Sequence, residues 1–416
     1  NNLSTFNLTE LIDFKVLSFE KEISINAKKK VKVVSKYPIV KLNTLAKEII
    51  NGSTPLKSVN AYWLRKEVPW ITVPDFPESS LYVNSTSQFV SQKAIDDKKV
   101  KLIPENSVLI SCTATIGKVC INKVKLSTNQ QINSIICDTE KIVVEYLGYY
   151  LRFNGYKLAY LTNNPGVLHV NQQMLNNFPI PLPPKTIQEK VISEIEAVEQ
   201  KEKTGKQKLL ELNSTLNKIF SELSHPIEKL GKLAEFKNGL NYSEKSTGES
   251  VTVVGVKDFL EDFSPNLEKL ANVQIDGTLS ESYKLQPEDI LVVRSNGSAN
   301  LVGRFVYIKE LNKVTSYSGF TIRIRSNSAK IDSKYLCYCL RTETVRNKIT
   351  RDPKGANIKS VNQTMLSAID VPLPPIDVQQ KIIKKAEKLE KEIAQIENGL
   401  AIMDQQKEQI LKKHLE

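Results

Sequence analysis

The chain has 416 residues, 40% of them hydrophobic, and carries 58 Lys and Arg against 46 Asp and Glu, a net charge of +12. This length allows two or three domains with cores of their own, and no stretch approaches the roughly 18 to 20 apolar residues that a membrane span requires. Five cysteines in no zinc-ligand pattern argue against a disulfide framework and for a reducing, cytoplasmic setting; no signal-peptide pattern opens the chain, and a start at Asn1 suits a processed, trimmed or partial chain.

In chain order, residues 1–36 form a polar arm ending in Lys28, Lys29, Lys30, Val31 and Lys32. A first block follows at 37–185. Residues 107–111 and 132–137 read there as strands, and 145–153 as a short helix. Pro183-Pro184 then closes the block, and Thr186 to Glu189 fits a capping box that opens a helix. From 186 to 224 the apolar residues Ile187, Val191, Ile195, Val198, Leu209, Leu212, Leu216, Ile219 and Leu223 keep the 3-4 spacing of a coiled-coil seam, interrupted by Glu202 and Gly205. A helix of that extent would be about 58 Å long. The second block, 225–375, places a strand at 319–324 and a helix at 333–342. After Pro374-Pro375 the run 376–416 repeats the seam with Val378, Ile382, Ala386, Leu389, Ile393, Ile396, Leu400, Met403, Lys407, Ile410 and His414.

The second half repeats the first. Val170-Asn171-Gln172-Gln173-Met174-Leu175 and Pro181-Leu182-Pro183-Pro184 return 191 residues later as Val361-Asn362-Gln363-Thr364-Met365-Leu366 and Pro372-Leu373-Pro374-Pro375. Shorter correspondences join Asn51-Gly52 to Asn238-Gly239, Leu102–Asn106 to Leu285–Asp289, and Gly117-Lys118 to Gly303-Arg304. An offset this long marks a duplicated domain with its trailing helix, not a solenoid repeat. The expected architecture is therefore α+β: two similar globular domains separated by two long antiparallel coiled-coil helices, with approximate two-fold symmetry. Charge follows the same division. The two blocks carry +6 and +4 and the arm +3, while the helical runs carry −1 and 0. Basic modules on neutral spacers suit a polyanion such as double-stranded DNA.

Catalytic signatures are missing. There is no Gly-x-Gly-x-x-Gly, Walker loop or Gly-x-Ser-x-Gly elbow, and His169, His225 and His414 are too scattered for a metal site. Asn163-Asn164-Pro165-Gly166 and Asp352-Pro353-Lys354-Gly355 read as turns, because they lack the second proline and aromatic of an adenine-methyltransferase motif. The residues suited to DNA are Thr113, Thr115, Lys118, Asn129, Gln130, Gln131 and His169 in the first block. In the second they are Arg294, Ser295, Asn296, Ser298, Arg304, Tyr317, Arg351, Lys354 and Asn357. Arg and Lys suit guanine edges, Asn and Gln adenine edges, and Lys28 to Lys30 suit phosphates. Asn171-Gln172 and Asn362-Gln363 recur at the domain–helix junction, where the glutamines are expected to cap.

The run Pro181 to Ile192 and its copy Pro372 to Ile383 resemble the conserved-region entrance of Type I restriction-modification specificity subunits. Gly117-Lys118 with Ser127-Thr128-Asn129-Gln130, and Pro55, Tyr62-Trp63 and Pro69-Trp70-Ile71, add to the likeness, which covers residues 37–416. The resemblance implies a non-enzymatic subunit whose two target-recognition domains each read half of a bipartite, asymmetric DNA site. It implies that the helices act as a ruler and dock two methyltransferase subunits, through which restriction/motor subunits join. S-adenosylmethionine, ATP and Mg would then sit on those partners, with no cofactor, metal or membrane for this chain. The second block departs from the pattern, lacking the Tyr-Trp and Pro-Trp-Ile opening and having Ser316-Tyr317-Ser318-Gly319 opposite Asn129-Gln130. The long arm resembles the junction in fused methyltransferase–specificity polypeptides, so a fragment of such a fusion is one alternative. A coiled-coil adaptor without sequence-specific DNA binding is another.

Overall fold

Short, apolar, β-branched segments such as Val108–Ser111 and Ile290–Val293 form strands buried on both faces, and the two faces serve different cores. The computed structural model describes residues 33–161, 169–221, 225–259, 263–296, 301–350 and 360–416. Contacts divide the chain into a first unit, residues 1–204 with 401–416, and a second unit, residues 205–400.

The first unit runs β1 (Ile39–Lys41), β2 (Ala46–Asn51), β3 (Val68–Ile71), β4 (Tyr82–Val83), β5 (Gln88–Val90), α1 (Gln92–Asp96), β6 (Val108–Ser111), β7 (Val119–Asn122), β8 (Ser127–Thr128), β9 (Ile132–Cys137), α2 (Val144–Asn154), α3 (Gln172–Asn176) and β10 (Pro179–Pro181). It then enters α4 (Lys185–Ser221), a helix about 55 Å long. One sheet has the order β2-β9-β6-β7-β4 and another β5-β3-β8, while β1 pairs with β10. Along β6, Val108 and Ile110 face Tyr146, Leu147 and Tyr150 of α2. Leu109 lies on the other side with Ile71, Val73 and Phe76. Alternation along the strand thus sends successive residues into two different cores.

The second unit repeats this plan. It comprises β11 (Ile227–Lys229), β12 (Ala234–Asn238), β13 (Ser250–Val254), β14 (Ala271–Gln274), β15 (Ile290–Val293), β16 (Phe305–Tyr307), β17 (Thr315–Tyr317), β18 (Thr321–Ser326), α5 (Ser333–Leu340), α6 (Glu343–Thr350), α7 (Gln363–Ser367), β19 (Asp370–Pro372) and α8 (Ile376–Ala401). Its sheets are β12-β18-β15-β16, β14-β13-β17 and β11-β19. The final helix, α9 (Met403–Leu415), belongs to the first unit. The run predicted as one helix over 376–416 is thus divided at Ile402.

In the first unit α4 and α9 pair antiparallel. Glu202 meets Lys407 at 2.7 Å, and Glu194 meets Lys413 and His414 at 3.1 and 3.0 Å. In the second unit α4 and α8 do the same, with Lys208 on Glu392 and Gly205 facing Leu400 and Ile396. Val191, Ile195 and Ile393 are buried; Ile187, Leu209, Leu212, Leu216, Val378, Ile382, Leu389, Leu400 and Ile410 are half-buried.

Two glutamines explain the repeated Pro-Leu-Pro-Pro junction. Gln188 is fully buried: its Nε2 donates to the Pro183 carbonyl at 2.8 Å, and its Oε1 accepts from the N–H of Val143, the residue before α2, at 2.8 Å. Gln379 does the same with the Pro374 carbonyl and the N–H of Asp332 before α5, both at 2.8 Å. The helix starts differ from expectation. Each long helix begins one residue before its predicted cap, and the Pro184 and Pro375 carbonyls accept from Ile187 and Val378 at 2.9 Å. Nearby it is Asn171 and Asn362 that cap α3 and α7, accepting from Met174 and Met365 at 2.9 Å. Gln172 and Gln363 instead reach back to Ile49 and Asn238.

Candidate nucleic-acid interface

At the end of β6 a loop leaves the sheet and is anchored on three sides. Cys112 donates its N–H to the Gln131 carbonyl and accepts from the Val170 N–H, both at 2.8 Å. Ser111 accepts from Gly117, and its hydroxyl bonds the Thr115 carbonyl. Gly117 has φ +86°, and a Cβ there would lie 2.5 Å from the Gly155 backbone, so only glycine lets the loop close on the end of α2. This brings half-exposed Thr113 to exposed His169, with Oγ1 and Nδ1 3.0 Å apart, and leaves Thr115 and Lys118 exposed. Exposed Tyr156 and Tyr160 stand edge to face at 6.1 Å just beyond Gly155, with the Lys157 ammonium 5.9 Å from the Tyr156 ring.

The turn before β9 separates the three predicted amides. Asn129 is buried; its Oδ1 accepts from the Gln131 N–H and its Nδ2 donates to the Gln131 Oε1, both at 3.0 Å. These two hold the turn. Gln130 is exposed, and the Thr54 hydroxyl donates to its Oε1. Asn129 is therefore corrected from a candidate contact to a structural residue, because its amide is consumed inside the fold.

The second unit builds the same frame from different side chains. Arg294 takes the place of Cys112, donating to Phe320 and accepting from Val361 at 2.8 Å each. Ser295 bridges Ser360 where Thr113 bridges His169. Gly303, φ +75°, donates to Val293 as Gly117 donates to Ser111. Gly52 and Gly239 are equivalent as predicted: a Cβ on either would collide with the carbonyl of Asn129 or Ser318. Phe320 thus stands where the first unit has Gln131, and Gly319 where it has Gln130. Phe320 is 61% exposed and rims a cavity of about 500 Å³ that Tyr242, Val256, Lys257, Ser295 and Asn296 also line.

Tyr317, a predicted contact, occupies the place of Thr128 on the short strand parallel to β13 and is fully buried, so it is corrected to a core residue. Burial pushes its hydroxyl up to about 12. The predicted alignment of the Pro-Glu turns is offset by one residue. Asn106 and Glu288 share the left-handed conformation, at φ +57° and +74°, and donate to the equivalent carbonyls of Asn122 and Ile308. Arg294, Ser295, Asn296 and Arg304 are half-buried, Arg304 reaching the Phe259 carbonyl at 3.5 Å. Lys28, Lys29, Lys30, Ser298, Arg351, Lys354 and Asn357, and both Asn/Asp-Pro turns, lie outside the described residues. Sequence reasoning missed Thr54, Tyr156, Tyr160, Asn241, Tyr242, Phe320 and Ser360. Only the Gly52/Gly239 correspondence, two residues before Thr54 and Asn241, pointed toward any of them.

Among the described residues no group of three or more His, Cys, Asp or Glu could hold a metal ion, and no helix is long and apolar enough to cross a membrane. The five cysteines are buried, and burial pushes the Cys112 thiol up to about 11.

The family model for the Type I restriction modification DNA specificity domain matches this chain twice, at residues 34–214 and 227–402. The chain belongs to that family. It is 30% identical to the StySPI specificity subunit of Salmonella potsdam over 36% of this chain and 33% of that one. It is 23% identical to the MjaVIII specificity subunit of Methanocaldococcus jannaschii over 95% and 94%. The chain spans about a third of the length of the first curated relatives it matches. Among solved structures it resembles a chain from work on "complex assembly and conformational transition of the type I R-M system", with TM-score 0.65, 14% identity and coverage of 92% and 99%. The S subunit from M. genitalium gives TM-score 0.50 at 15% identity, with coverage of 94% and 98%. At these identities the likeness is one of fold.

Proposed function

We propose that this chain is the non-catalytic DNA-recognition subunit of a Type I restriction-modification complex, each unit reading one half of a bipartite, asymmetric site. The observation that carries this reading is one backbone frame built twice with different side chains. Thr113, His169 and Gln130 stand on the first, and Ser295, Asn296 and Phe320 on the second. A shared frame approaches DNA in the same way, and unlike side chains select different bases. Lys118 and the arm lysines Lys28, Lys29 and Lys30 would bind phosphates. The helices α4, α8 and α9 would form an antiparallel coiled-coil spacer with approximate two-fold symmetry, and their exposed faces would dock two methyltransferase subunits. S-adenosylmethionine belongs to those partners, and ATP and Mg to the restriction/motor subunits that join them. The test is to map methylated bases in cells expressing the chain with its methyltransferase subunit. A bipartite motif that disappears with the chain is expected; methylation whose sequence is indifferent to the chain would overturn the proposal.

A further inference from the structure

Each frame carries an exposed carboxamide at the same place but from opposite backbone segments. In the first unit it is Gln130, on the turn before β9, met by the hydroxyl of Thr54. Gly52 donates to Ile132 as Gly239 donates to Thr321, and Ser53 donates to Thr128 as Leu240 donates to Tyr317. Counting on from these bonds, Thr54 is equivalent to Asn241 and Gln130 to Gly319. The exchange is reciprocal in size. The second unit has no side chain at Gly319, and the Asn241 amide fills the vacated space: a Cβ on Gly319 would collide with Asn241 Oδ1 and stand 3.2 Å from its Cγ. Gly319 is held there by donating its N–H to the Leu240 carbonyl at 2.6 Å. Asn241 is exposed, like Gln130.

We propose that Asn241 is the specificity-determining counterpart of Gln130, and that each amide reads an adenine in the half-site of its own unit. This rests on the reading that both units contact base edges. A carboxamide presents a donor beside an acceptor. That pair matches the adenine N7 acceptor and N6 donor in the major groove, whereas guanine offers two acceptors there. Sequence comparison hides the equivalence because the amide has moved from one side of the frame to the other.

The experiment is selection by the purified full-length chain from a library of duplexes with randomised bases, read by sequencing. Asn241→Ala should lower the preference for adenine at one base pair of one half-site on the order of 10- to 100-fold. Gln130→Ala should do so at one base pair of the other half-site. The graft Thr54→Asn with Gln130→Gly should restore the adenine preference that Gln130→Gly alone loses. Amide hydrogen exchange on each variant separates a lost contact from a lost fold. An unchanged motif with Asn241→Ala, while Phe320→Ala alters the second half-site, would overturn the assignment and leave DNA reading intact. If the wild-type chain enriched no motif, the broader reading on which the assignment rests would fall with it.

Discussion

Lys407 occupies a seam position of α9 that an apolar residue would ordinarily fill, and its environment predicts what its loss costs. Its side chain is 3% exposed and meets Glu202 Oε2 at 2.7 Å; Glu202 is 13% exposed. A second carboxylate, Asp404, lies at 2.8 Å but is 87% exposed, so screening leaves it about 0 to 1 kcal/mol. Burial disfavours the charged ammonium, yet the hydrogen bonds it donates to Asp404 and Glu202 outweigh this and hold the Lys407 pKa above its ordinary value. This contribution is fully present below the unfolded pKa and is lost only as pH rises through the raised folded one. Removing one partner of such a pair costs about 3 to 5 kcal/mol, because the other charge keeps its burial. Lys407→Leu or Glu202→Leu alone should therefore lower the opening free energy of α9 by about that amount. The double variant should lie within about 1 kcal/mol of wild type, since Val198, Met403 and Ile410 continue the seam on either side. Hydrogen exchange of the amides in 403–415 is the suitable assay, because it reports this helix rather than the unfolding of two units at once. If the two single effects simply add in the double variant, the pair is not coupled and the reasoning fails.

Gln188→Leu should destabilise the first unit, and Gln379→Leu the second, by about 2 to 4 kcal/mol each, since each strands a backbone N–H and a carbonyl; unit-resolved hydrogen exchange checks this. Burial would raise the Asp75 pKa, but bonds from Ser87 and Thr72 hold it below the usual carboxylate range. Its contribution is therefore present above pH 3.8 and lost as pH falls through the lower folded value, and Asp75→Asn should flatten the acid limb of a stability–pH curve. Gly117→Ala should cost several-fold in DNA affinity in binding titrations, because a Cβ cannot fit against Gly155 and the Thr113–Lys118 loop must shift. One in-register heptad inserted near Gly205, with its partner near Asn398–Gly399, adds about 10 Å of helix, roughly three base-pair steps. Motif mapping should then show both half-sites kept and the number of unspecified bases between them changed.

The junctions were legible because their chemistry is local. Paired prolines end one element, and a 3-4 apolar seam announces the next. Lys407 and His414 fall at seam spacing and are buried with it. The loops were less legible. Asn129, Gln130 and Gln131 are alike in sequence, but only the fold shows that Asn129 spends its amide holding Gln131 while Gln130 faces outward. Tyr317 looked like a surface aromatic because the pairing of β17 with β13 is non-local. Phe320 gave no signal, and Asn241 only its place two residues after the repeated Asn-Gly pair, because their meaning lies in a hydrogen-bond frame shared with residues about 190 positions away.

The most direct test of two-domain reading is to compare the motifs selected from randomised duplexes by three chains: wild type, Thr113→Ala with His169→Ala, and Phe320→Ala. The wild-type motif should have two specified blocks around unspecified bases. The Thr113/His169 variant should alter one block only, and the Phe320 variant the other. Both variants altering the same block, or a wild-type motif that is one continuous sequence, would contradict the account.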